Sequence, residues 1–127
     1  MPGLRRVKEL VASLLKRYPR LRRRKRLQLT YVAVRILEEQ GGKLTLPSIV
    51  EEARRIIRET SEAIDWGITA NEYTEEVAAP LVHELAEMGV IEPSPELLRE
   101  IARRMKKQAK PDNVSLVTGM TLLTRPM

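Results

Sequence analysis

Eight cationic side chains crowd the eleven residues Lys16-Arg-Tyr-Pro-Arg-Leu-Arg-Arg-Arg-Lys-Arg26. Charges packed this densely repel one another, so the free chain gains by recruiting anions. Arginine offers planar, bidentate donors that match phosphate geometry. Lys16, Arg17, Arg20, Arg22, Arg23, Arg24, Lys25 and Arg26 are therefore candidate phosphate-backbone contacts, and Arg103, Arg104, Lys106, Lys107 and Lys110 form a second basic cluster. Contacts of this kind are largely independent of base sequence and sensitive to salt. Two plainer readings of the first run are a solvated charge patch and a nuclear-localisation signal. Tyr18 and Tyr31 could stack on a base, although three tyrosines make no stacking signature.

Catalytic constellations are not apparent. His83 is the single histidine, and no second one completes a metal-binding pair. With zero cysteines, thiol catalysis, thiolate-ligated zinc and disulfides are excluded. Gly41-Gly42 lacks the Gly-Lys-Ser/Thr continuation of a phosphate-binding loop. Glu62 and Asp65 could pair as carboxylates, but they sit among charges near a helix end and need no catalytic role. The expectation is a non-enzyme with no cofactor and no metal. Trp66 reads as a core plug, with an interface anchor as its alternative.

The charges are unevenly distributed along the chain. Residues 1–44 hold 13 Lys and Arg against 3 Glu, residues 45–100 hold 4 against 13 acids, and residues 101–127 hold 6 against 1. The net charge of +6 thus conceals an acidic middle between a basic head and tail, which can attract one another or serve separate partners. Glu72, Glu75, Glu76, Glu84 and Glu87 fall on one acidic helix and are candidate protein contacts. Glu outnumbers Asp 15 to 2, a thermophile-like balance. At 127 residues the chain suits one compact domain. It has no apolar run long enough to span a bilayer and no signal-type segment, so a soluble, cytoplasmic protein is expected. The first helix could lie on an anionic membrane, but its stripe is modest and lacks large aromatics.

The elements that must position these residues follow from periodicity. Leu4, Val7, Leu10, Val11, Leu14 and Leu15 make an amphipathic helix that stops before Pro19. A second helix, about 25–40, is apolar over most of its circumference and should be central. Gly41-Gly42 ends it, and Lys43–Leu46 alternates like a short strand. Pro47 opens a third helix that could extend to Ile64. Thr69 and Glu72 have capping-box spacing for a fourth helix over 72–88, kinked at Pro80 and closed by Gly89. Val90–Glu92 reads as a second strand. Ser94 and Pro95 start a fifth helix with Leu97, Leu98, Ile101, Ala102 and Met105 inward. Pro111–Asn113 reads as a turn, and Val114–Leu123 as a strand or weak hairpin.

Helix, Gly-Gly, short strand, helix, loop, helix and Leu85-Ala-Glu-Met-Gly-Val-Ile91 together resemble the winged helix-turn-helix superfamily over residues 25–92. The resemblance implies a mainly α fold with short strands. It places an extra N-terminal helix and basic linker at 1–24, a winged-helix-like core at 25–92, and a C-terminal helix and strand at 93–127. In that superfamily the third core helix usually enters the DNA major groove. Here the corresponding helix is acidic and carries Pro80, which argues against that docking mode. The functional expectation is a small nucleic-acid-associated protein, binding DNA or RNA through its Arg-rich segment. Its alternative is an assembly subunit of a nucleoprotein complex, homodimeric or bound to another protein through the acidic helix.

Overall fold

The computed structural model describes the backbone of residues 3–117 and the side chains of residues 3–106. It is all-α: α1 (Leu4–Arg17), a 3-10 turn (Pro19–Arg23), α2 (Lys25–Glu39), α3 (Leu46–Thr60), α4 (Glu75–Glu87) and α5 (Pro95–Val117). In α1 the buried residues are Val7, Leu10 and Leu14, the centre of the expected stripe. α2 is the central element. Leu27, Gln28, Leu29, Thr30, Val32, Ala33, Val34 and Ile36 are all buried, because α1, the 3-10 turn, α3 and α4 all pack against it. α5 lies outside α3 and α4 and reaches neither α1 nor the 3-10 turn in any substantial contact.

The winged-helix expectation fails on its strands, since no described segment is a strand. Lys43–Thr45 is irregular, and its apparent alternation serves the start of α3. The Thr45 hydroxyl accepts from the Ser48 amide at 3.2 Å, and Ser48 Oγ accepts from the Thr45 amide at 2.9 Å, while Leu46 is already helical and fully buried. At Val90–Glu92, Val90 closes the end of α4 by donating its amide to the Leu85 carbonyl at 2.9 Å, and Ile91 is buried with no neighbouring strand among the described residues. A strand needs a partner for its backbone groups, and none is supplied. Instead of turning at Pro111–Asn113, α5 continues through Val117, which overturns the strand at its first residues, 114–117; residues 118–127 lie outside the described part.

Two helix boundaries also move. α3 ends at Thr60 rather than near Ile64. α4 begins at Glu75, where Thr74 caps it by accepting from the Val77 amide. The Thr69–Glu72 pair closes a separate turn, with the Thr69 amide donating to Glu72 Oε1 at 3.1 Å. α4 is continuous through Pro80. Gly41 and Gly89 take the left-handed conformation expected at helix ends, with φ of 75° and 76°. In α5 the inward stripe is narrower than expected. Leu97 and Ile101 are buried and Met105 partly so, while Leu98 is 41% exposed and Ala102 also faces out. An outermost helix needs to cover only one side.

The α3–α4 connection is held by two aromatic residues that share one device. Thr30 Oγ1 donates to the Arg26 carbonyl at 2.8 Å, so its lone pair accepts from the Tyr73 hydroxyl at 2.6 Å. Thr60 Oγ1 donates to the Ile56 carbonyl at 2.7 Å and accepts from Trp66 Nε1 at 2.8 Å. Both rings are buried, at 0% and 2% exposure, and each has its polar atom satisfied. Trp66 is a core plug.

Burial keeps the Tyr73 hydroxyl protonated well above the ordinary phenol range, with the Thr30 bond opposing only in part. The unfolded chain loses this proton from pH ~10 upward and the folded chain does not, so stability falls as pH rises, by about 1.4 kcal/mol per unit. Tyr73→Phe removes that dependence. Urea titrations should show the variant weaker than wild type by about 1 kcal/mol at pH 8, with the gap closing or reversing by pH 11. A gap constant across this range would contradict a buried, un-ionised hydroxyl.

Candidate nucleic-acid interface

The basic run is shaped by one apolar residue and one amide. Leu21 is buried at the middle of the 3-10 turn, which forces its neighbours Arg20, Arg22 and Arg23 outward. Gln28, 1% exposed on α2, donates from Nε2 to the Leu21 and Arg22 carbonyls at 2.5 and 3.1 Å. Buried carbonyls of a turn need such donors, so Gln28 fixes the turn to the central helix. Nothing in the local sequence distinguishes Gln28 from a surface residue except its place within an otherwise apolar helix.

Two cations of the run are used by the fold itself. Arg24 makes a two-pronged contact with Glu84 of α4, at 3.1 and 3.0 Å. Arg26 donates to the Gly67 carbonyl at 2.9 Å, beside Trp66. The others stay available. Lys16, Arg17, Arg20, Arg22, Arg23 and Lys25 are exposed, and none has an ion-pair partner among the described residues. Arg17 stacks over Tyr18, 5.7 Å from the ring centroid, which leaves its charge unneutralised. Tyr18 and Tyr31 are half-buried against the core, which limits their use as stacking platforms. A shallow groove beside the run is bordered by Arg23, Lys25 and Arg26 and floored by Leu27, Trp66 and Leu81.

Compared with protein-family models, curated proteins and solved structures, the chain matches none.

The acidic helix faces the chain's own cations. Glu75 and Glu76 receive Arg104 of α5, at 2.5 and 2.7 Å, and Glu84 receives Arg24. Glu87 lies 3.5 Å from His83, and Glu72 closes the turn after Thr69. The structure thus brings three of the five proposed protein-contact residues, Glu75, Glu76 and Glu84, together with Arg24 and Arg104, two of the proposed nucleic-acid contacts. Arg103 and Lys106 are exposed and point away from α4, whereas the side chain of Lys107 lies outside the described residues. Arg99 belongs with them: it is exposed one turn before Arg103, a helical spacing that the sequence displays but that is easily passed over.

His83 is half-buried, and no group of acids and histidines among the described residues has the arrangement of a metal site. Asp65 accepts from the Gly67 amide at 2.9 Å, a turn-stabilising role. On α3, Arg55 bridges Glu52 and Glu59. Its guanidinium is held protonated chiefly by the hydrogen bond to Glu52, against the opposing effect of burial. This cluster ties successive turns of one helix together. No described helix is long and apolar enough to cross a membrane.

Proposed function

We propose that the chain is a non-catalytic nucleic-acid-associated protein that grips phosphate backbones with Lys16, Arg17, Arg20, Arg22, Arg23 and Lys25. The observation that carries this reading is the division of labour within the basic run. Arg24 and Arg26 are consumed by internal contacts, while six neighbours stay exposed without an ion-pair partner among the described residues: Arg20, Arg22 and Arg23 on a turn held by Gln28, Lys16 and Arg17 at the end of α1, and Lys25 at the start of α2. Like charges held at fixed positions are pre-organised for a polyanion, so little ordering cost remains on binding. The acidic helix does not oppose this, because Glu75, Glu76 and Glu84 already have cationic partners. The same pairing weakens the alternative reading of α4 as an open protein-binding face.

Titrating the protein with a labelled 30-base-pair DNA duplex and its RNA counterpart at 50–300 mM salt tests the proposal. Log affinity should fall linearly with log salt, with a slope of roughly −4.5 to −5.5 for the DNA duplex if five or six phosphates are neutralised. The affinity should depend little on base sequence. Absence of binding at 50 mM salt to either duplex would refute the reading.

A further inference from the structure

The outer face of α5 repeats the feature that marks the first basic run. Arg99, Arg103 and Lys106 recur at spacings of four and three, so they share one helical face over about 10 Å of helix. All three are exposed, and none has an ion-pair partner among the described residues. With Ala102 they border a shallow trough. Glu96, at its near end, lies 3.5 Å from Lys43. Glu100 turns instead toward the start of α3, 3.4 Å from the Leu46 amide. The face that remains is cationic.

Its position relative to the first patch follows from α4. The short connection after α4 returns α5 antiparallel to it, so Arg104 meets Glu75 and Glu76 at the start of α4, whereas Arg24 meets Glu84 near its end. Eight residues of helix separate Glu76 from Glu84, about 12 Å, which exceeds the ~8 Å screening length of physiological salt. α5 packs on α4 and α3 and makes no substantial contact with α1, the 3-10 turn or α2, so the two cationic faces sit on elements that do not adjoin.

We infer that the protein holds two nucleic-acid duplex segments at once, one on the 3-10 turn and one on the outer face of α5. This rests on the phosphate-binding reading of the first patch and adds a second, independent site and a bridging activity. Linked sites of this kind raise the local concentration of one duplex around another without any new contact.

The test is a two-duplex capture on the full chain. A biotinylated DNA duplex on beads is loaded with protein and then offered a fluorescent duplex, with sedimentation reporting the mass of the protein alone. Wild type should be monomeric and retain the second duplex. The variant R99Q/R103Q/K106Q should bind a single duplex within about threefold of wild type yet lose at least tenfold in capture. R22Q/R23Q/K25Q should lose capture together with most of its single-duplex affinity. Circular dichroism should be unchanged in both, because all six side chains are exposed. Single-duplex binding by wild type without capture would overturn the bridging inference and leave the first patch standing. Undiminished capture by the α5 variant, or capture by a dimer that uses one face per protomer, would overturn it too. No duplex binding at all would remove both readings.

Discussion

Replacing Arg22, Arg23 and Lys25 together with glutamine should lower duplex affinity roughly a hundredfold at physiological salt, if each phosphate contact is worth about 1 kcal/mol. The salt slope should become shallower by nearly three, since each lost contact releases about 0.9 counterion fewer. The loss should be equal for unrelated sequences, because phosphate contacts carry no base information. Folding stability should hold or rise slightly, as these side chains have no described ion-pair partner and repel one another. Arg24→Gln makes the contrast within the same run. It breaks the contact with Glu84, so its cost should fall on the packing of the turn against α4 and hardly at all on the salt slope. An unchanged slope in the triple variant would mean that the run is solvated surface.

Trp66→Ala should destabilise the protein by about 3–5 kcal/mol, the range for emptying a large aromatic site in a packed core. The indole is 2% exposed and pins a fourteen-residue connection, residues 61–74, between α3 and α4. Its removal leaves a void and a Thr60 hydroxyl with its acceptor side unused. Thr60→Val keeps the volume and removes the indole's acceptor together with the hydroxyl's own bond to the Ile56 carbonyl, so it should cost less, about 1–3 kcal/mol for a buried indole N–H left unpaired. Chemical denaturation of the two variants separates packing from hydrogen bonding. Equal losses would mean that the hydrogen bond, not the ring, holds the connection. A loss below 1 kcal/mol for Trp66→Ala would show that the connection is peripheral to the core.

The helices were legible because their signals are local. The stripe of α1, the nearly all-apolar circumference of α2 and the glycines at 41 and 89 each require only a few neighbouring residues to be read. The strands were misread for the complementary reason. Lys43–Leu46 alternates as a strand does and Val90–Glu92 is short and aliphatic, but such patterns state only that some side chains are buried. Whether another strand pairs with them depends on the whole chain. The capping of α3 escaped notice because Ser48, rather than Glu or Gln, stands three residues after Thr45. For the candidate interface, the density of cations was plain at sight. Which of them the fold uses internally was not, because Arg24 finds Glu84 sixty residues away and Arg104 finds Glu75 and Glu76 across a helix hairpin. Arg99 was overlooked because α5 was assigned too wide an apolar face. Once Leu98 and Ala102 are seen to point outward, Arg99 falls into line with Arg103 and Lys106.

The hydroxyls of Thr30 and Thr60 fasten the long connection with neutral groups, deep among apolar side chains and out of reach of dissolved ions. Ionic strength acts in contrast on exposed charges. Grip and scaffold thus respond to different variables. A molar sodium chloride wash should strip the protein from a nucleic-acid column in its native state, with its melting temperature little altered. Dilution should restore binding without a refolding step. On the proposed phosphate-binding reading, the protein is loaded and unloaded by its ionic surroundings alone, while the neutral hydroxyl ties of the α3–α4 connection stay intact.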